Sequence, residues 1–188
     1  MIIYKTACLF SLFVVSTVTA FAQGPTLVKI CDLFSDIEKW DGTFIRTTGD
    51  IETRQEGGPW LSGRGCPTKI EVKGISFPNI IQLANPKAPV GLLHHVDFVW
   101  EENNLGEFWG AQLQVNRKTE HIHGTIIGLF ETRSPISDLV KFTSVHPEGQ
   151  LLGFGPGGPA PAQIIVKSII EVHIEKNQRP AEQGSQPK

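Results

Sequence analysis

Gln163-Ile164-Ile165-Val166-Lys167-Ser168-Ile169-Ile170-Glu171-Val172-His173-Ile174-Glu175 is the stretch whose reading decides the fold. Ile164, Val166, Ser168, Ile170, Val172 and Ile174 fall on one side by strict alternation, with Gln163, Lys167, Glu171 and His173 on the other. A period of two in so β-branched a segment predicts a long strand with one apolar face. Such a face needs partners, and the rest of the chain supplies them.

Moving upstream, Gly149 to Pro161 is rich in Gly and Pro and reads as loop. His121 to Arg133 reads as another strand through Ile122, Ile126, Ile127, Leu129 and Phe130, with Gly124 and Gly128 at bulge or bend positions. Over Glu101 to Lys118 the period changes. Leu105, Phe108, Trp109 and Leu113 recur at i, i+3, i+4 and i+8, one face of a helix. Glu101 and Glu102 at its start and Arg117 and Lys118 at its end suit the helix dipole. The spacing predicts that Trp109 packs inward with this stripe. Leu93 to Trp100 is compatible with loop or strand, and Asn85 to Gly91 is a Pro-broken loop. Asn79 to Ala84 is an apolar strand. Trp60-Leu61 opens a short one that runs toward Cys66-Pro67, after a turn at Gln55 to Pro59. Thr43 to Glu52 alternates Ile45, Thr47, Gly49 and Ile51 against Phe44, Arg46, Thr48 and Asp50, a strand with one wetter face. Cys31 to Trp40 places Leu33, Phe34, Ile37 and Trp40 at helical spacing, with Asp32 to cap the start and Gly42 to close the end.

The order is therefore helix, three strands, helix, two strands, a mainly β chain with two helices (α+β). A five-stranded barrel with a helix between its third and fourth strands is the layout of the OB fold. A different small barrel or a sandwich is the alternative.

The N-terminus has the three parts of an export signal: Lys5, the apolar run Ala7 to Val18, and the small residues of Ala20-Phe21-Ala22. We read residues 1–22 as a signal peptide cleaved before Gln23, residues 23–175 as one domain, and 176–188 as a disordered polar tail. The apolar run is too short to span a bilayer, so no membrane span is expected after cleavage. Cys8 leaves with the signal. Cys31 and Cys66 remain, an even number in an oxidising compartment, too widely separated for a redox pair, and a structural disulfide is expected. Cleavage removes one positive charge, leaving 16 basic against 19 acidic residues. Arg54, Arg64, Lys69 and Lys73 are interleaved with Glu52, Glu56 and Glu71, so no basic stripe forms and nucleic acid is disfavoured as a partner.

Four pieces carry a resemblance: Cys31-Asp32-Leu33; Trp40-Asp41-Gly42-Thr43-Phe44-Ile45; Gly65-Cys66-Pro67; and Gly153-Phe154-Gly155 leading to Pro161-Ala162-Gln163-Ile164-Ile165-Val166. On these the chain resembles a loose group of uncharacterised secreted bacterial proteins with an OB-like domain. The resemblance implies export to the periplasm or medium, a disulfide and a barrel. It brings no catalytic or binding residues.

Gly153-Phe154-Gly155-Pro156-Gly157-Gly158 matches G-x-G-x-x-G, but prolines and a strand follow where a phosphate-binding helix should begin, so it reads as loop and no cofactor is expected. His121 and His123 share a strand face, and His94, His95 or His173 are the histidines available to join them. Zinc needs three or four converging ligands, which spacing alone does not show, and solvent-facing histidines are the favoured reading. Arg46, Asp50, Glu52 and Arg54 are the nearest thing to a nuclease-like set; ordinary strand-face charges account for them. No G-x-S-x-G is present, and Glu101-Glu102 do not face each other on a helix. Among the large aromatics, Trp60 beside Gly57-Gly58-Pro59 is expected at the surface, where it could stack a sugar or base. The function expected is a non-enzymatic exported binding module for a small molecule or protein. A secreted metal-dependent hydrolase and an envelope assembly domain are the alternatives.

Overall fold

A computed structural model describes residues 24–53, 58–87, 93–117 and 119–176. Residues 1–22, expected to be a signal peptide, and those beyond Lys176, expected to be a tail, lie outside the described residues, as do Arg54 and the centre of the Gln55 to Pro59 turn.

The strands are β1 (Thr26–Leu27), β2 (Phe44–Thr53), β3 (Pro59–Ser62), β4 (Ile70–Val72), β5 (Ile75–Phe77), β6 (Ile80–Ala84), β7 (Glu120–Thr132), β8 (Val140–Lys141), β9 (Gln150–Leu151) and β10 (Ala162–Lys176). The helices are α1 (Ile30–Ser35) and α2 (Glu102–Gln114). Five strands close on themselves in the order β2-β3-β6-β10-β7, with β7 returning to β2. β6 and β10 are parallel and the other barrel pairs antiparallel. Numbered within the barrel this is 1-2-3-5-4-1 with α2 between strands three and four, an OB-like α+β fold. Closure leaves no unpaired barrel edge. The alternating side chains expected to face inward in the first strand do so: Ile45, Thr47 and Ile51 are buried.

Small elements decorate this frame. β1 adds in parallel to β2, β4–β5 forms a hairpin between β3 and β6, and β8–β9 forms one between β7 and β10. The first helix is shorter than the spacing predicts. It runs from Ile30 to Ser35, breaks at Asp36, and resumes as a 3-10 turn over Ile37–Trp40. Asp32 lies within its first turn, and Lys29 is the cap. The Cys31–Cys66 disulfide ties α1 to the loop after β3.

Two expectations are corrected. β10 is not one uninterrupted alternation: register shifts fall between Val166 and Ser168 and between Ile170 and His173. Each bulge flips the side-chain parity. Ile169 therefore joins Ile164, Val166 and the partly buried Val172 against the core, in place of Ser168 and Ile170. The first bulge has a visible use, because the Lys167 carbonyl accepts the Glu101 N–H and starts α2. Opposite it, an added Cβ on Gly128 would lie 2.2 Å from the Ile165 carbonyl oxygen, so only glycine allows β7 and β10 to approach there. The second correction concerns α2. Leu105 and Phe108 are buried, with Ala111 and Val115 packed behind them, whereas Trp109 is 48% and Leu113 89% exposed. The buried stripe, through Leu105, Phe108, Ala111 and Val115, is rotated from the one the spacing predicts, and α2 packs against β10.

Candidate functional site

OB folds commonly present a groove across their second and third strands, but here that outer face is covered by the protein itself. Trp60, expected at the surface, is 3% exposed and clusters with Ile80, Phe154 and Ala160 on the outside of the barrel. The Gly153–Ala160 loop lies over this cluster, pinned by paired backbone bonds between Phe154 and Ala160. At Gly155 φ is +78° and a Cβ would sit 2.3 Å from the indole, so the loop backbone rests directly on Trp60. The G-x-G-x-x-G segment is thus a cover, and no helix follows it.

Beside Trp60 runs a row of buried polar side chains, set by register: Trp60 pairs with Gln82, Gln82 with Gln163, and Gln163 with Glu131. Glu131 is fully buried, and its oxygens accept the backbone N–H groups of Leu93 and His94 and Nε2–H of Gln163. Asp41 accepts the Thr132 N–H and meets the His94 ring at 3.1 Å. These contacts fasten the irregular segment 93–100 to the barrel.

The other end of the barrel is different. Asp50 on β2 pairs in register with His123 on β7; His123 pairs with His173 on β10, and His121 with Glu175. The second β10 bulge, with Glu171 at φ +56°, sets the parity that turns His173 and Glu175 to the outer face beside His121 and His123. The Asp50 Oδ1 lies 2.8 Å from His123 Nδ1 and 3.3 Å from His121 Nε2. Glu175 Oε2 is 3.5 Å from His121 Nε2. Nδ1–H of His173 donates to the Glu171 carbonyl and Nε2–H to Glu175 Oε1, at 3.1 and 2.8 Å. The bond to Glu175, then that to the Glu171 carbonyl, raises the His173 pKa, and the same His173 bond lowers that of Glu175.

Asp50, His121 and His123 are all half-buried, and one ligand atom from each lies within 4.8 Å of the others. Two imidazoles and a carboxylate on neighbouring strands can hold a metal ion. The spacing places the two histidines together but leaves Asp50 remote; the β2–β7 pairing that closes the barrel brings it in. Glu175 carries one local signal, its position two residues beyond His173 on an alternating strand. Glu131 carries another, a carboxylate inside an apolar strand.

The remaining candidates disperse. His94 pairs with Asp41. Arg46 pairs with Glu171, Glu52 with Arg64, Glu101 with Lys167 and Glu102 with Lys87. Arg46 lies four residues from Asp50, about 13 Å along the strand. A shallow cleft between the Ser62–Lys69 loop and the β4–β5 hairpin is lined by Arg64, Lys69 and Asn79, without a converging titratable set. No protein family, curated protein or solved structure matches the chain.

Proposed function

We propose that this chain is an exported, non-enzymatic binding module that holds a divalent cation at the Asp50–His121–His123 end of its barrel. The observation that carries the reading is the approach of one carboxylate oxygen to two imidazole nitrogens from the adjacent strand, at 2.8 and 3.3 Å. Export rests on the Lys5 to Ala22 segment and fits the Cys31–Cys66 disulfide, since such bonds persist outside the cytoplasm. The destination is the periplasm or the medium, in line with the resemblance to secreted OB-like proteins.

Thermal denaturation of the purified protein with and without divalent chlorides tests it. At a hundred times the dissociation constant a bound ion stabilises by about 2.7 kcal/mol, raising Tm by roughly 5–11 °C at this size. Asp50→Ala should abolish the rise. Cleavage of bis(p-nitrophenyl) phosphate that needs metal and dies with Asp50→Ala would replace this reading with the hydrolase. A Tm indifferent to every divalent ion would end it.

A further inference from the structure

We propose that the cluster is a four-donor site for a late first-row ion, zinc or copper(II), with Glu175 as the fourth ligand and His173 as the residue that positions it. This rests on the cation-binding reading and names its ligand. Zinc–nitrogen and zinc–oxygen bonds of about 2.0–2.2 Å put neighbouring tetrahedral donors about 3.3 Å apart. Asp50 Oδ1 and His121 Nε2 stand at 3.3 Å, and Glu175 Oε2 lies 3.5 Å from that same nitrogen. The His123 contact of 2.8 Å opens slightly when its proton gives way to the metal. Glu175 need not abandon its present partner. Oε2 faces His121 while Oε1 accepts from His173, so one oxygen can ligate as the other stays fastened. Ligating groups are commonly oriented through such an outer bond, and its loss weakens metal binding about 10–100-fold.

The donor set also selects the ion. Calcium and magnesium are hard ions held by oxygen, and half of the donors here are imidazole nitrogens. Imidazole nitrogen with carboxylate oxygen suits zinc and copper(II). Asp50, His121 and His123 already have ligand atoms within 4.8 Å of one another, and Glu175, on the strand beside β7, has to close from His121 onto the other two donors to complete the set.

The test is competition against a chromophoric chelator, using untagged protein and zinc, copper(II), calcium and magnesium chlorides. One zinc or copper ion per chain should bind, with calcium and magnesium far weaker. Glu175→Ala should weaken zinc at least 100-fold, Glu175→Asp should recover part of the loss, and His173→Ala should cost about 10-fold. The ion-free Tm of each variant, near that of the parent, separates lost ligation from lost folding. Zinc binding that ignores Glu175→Ala overturns the fourth ligand, and calcium binding as tight as zinc overturns the selectivity; either leaves the cation-binding reading standing. Zinc binding that survives combined Asp50→Ala and His121→Ala places the ion elsewhere and overturns both, as does the absence of any binding.

Discussion

Glu131 offers the sharpest test of how the barrel holds its irregular segment. Its buried carboxylate accepts N–H bonds from Leu93, His94 and Gln163 at 3.2, 2.7 and 2.7 Å. Glu131→Ala deletes the acceptor and leaves three donors facing a void. At about 1.5 kcal/mol for each bond to a charged group, the gross loss is about 4.5 kcal/mol. Part is recovered, because a carboxylate is no longer held away from water. A net destabilisation of about 3 kcal/mol follows, and on a domain of this size that lowers Tm by roughly 6–12 °C. The accompanying local effect is separable by hydrogen exchange. In Glu131→Ala, which removes the acceptor altogether, the Leu93 and His94 amides should exchange much faster, while the paired amides of β7 and β10 stay protected. Unchanged exchange at Leu93 and His94, together with a Tm within 2 °C of the parent, would refute the clamp.

Gly128→Ala should prevent folding or cost several kcal/mol, since its Cβ would meet the Ile165 carbonyl and β10 cannot retreat without opening the barrel; circular dichroism and soluble yield report it. Reducing the Cys31–Cys66 bond, or replacing both cysteines with serine, frees a 35-residue span of the unfolded chain and should cost about 4 kcal/mol by urea denaturation. Glu171 is held below the usual carboxylate range by the Thr125 hydroxyl bond and then by Arg46. A carboxylate whose pKa is lower folded than unfolded stabilises above its unfolded pKa and loses that contribution as pH falls through the folded value. Glu171→Gln should therefore lower Tm modestly above pH 6, where the ionised carboxylate contributes, and converge on the parent at low pH, which flattens the acid limb of the Tm–pH curve; an unaltered limb would contradict it.

The five barrel strands, the helix between the third and fourth and the disulfide pair were legible in the sequence, and for a common reason. Alternation, helical spacing and cysteine number are properties of contiguous chain or of simple counting, so they survive without knowledge of neighbours. The two bulges in β10 were not, because the Ile-rich run satisfies strict alternation equally well; its parity changes only where Lys167 and Glu171 must fit against β7 and α2. The buried stripe of α2 escaped similarly: Trp109 and Leu113 are apolar and correctly spaced, but packing against β10 decides which side is covered. Trp60 is the inverse case, a residue beside a turn that the distant Gly153–Ala160 loop comes to bury.

By itself the sequence determined a disulfide-joined, mainly β domain and put His121 and His123 on one strand face, since each depends on residues near one another in the chain or on their number. Whether those histidines meet Asp50 and Glu175, and whether Glu131 or Trp60 reaches solvent, was decided only by tertiary structure. Strand partner and register are set by the joint packing of all five strands, and a shift of one residue would turn every one of these side chains to the opposite face.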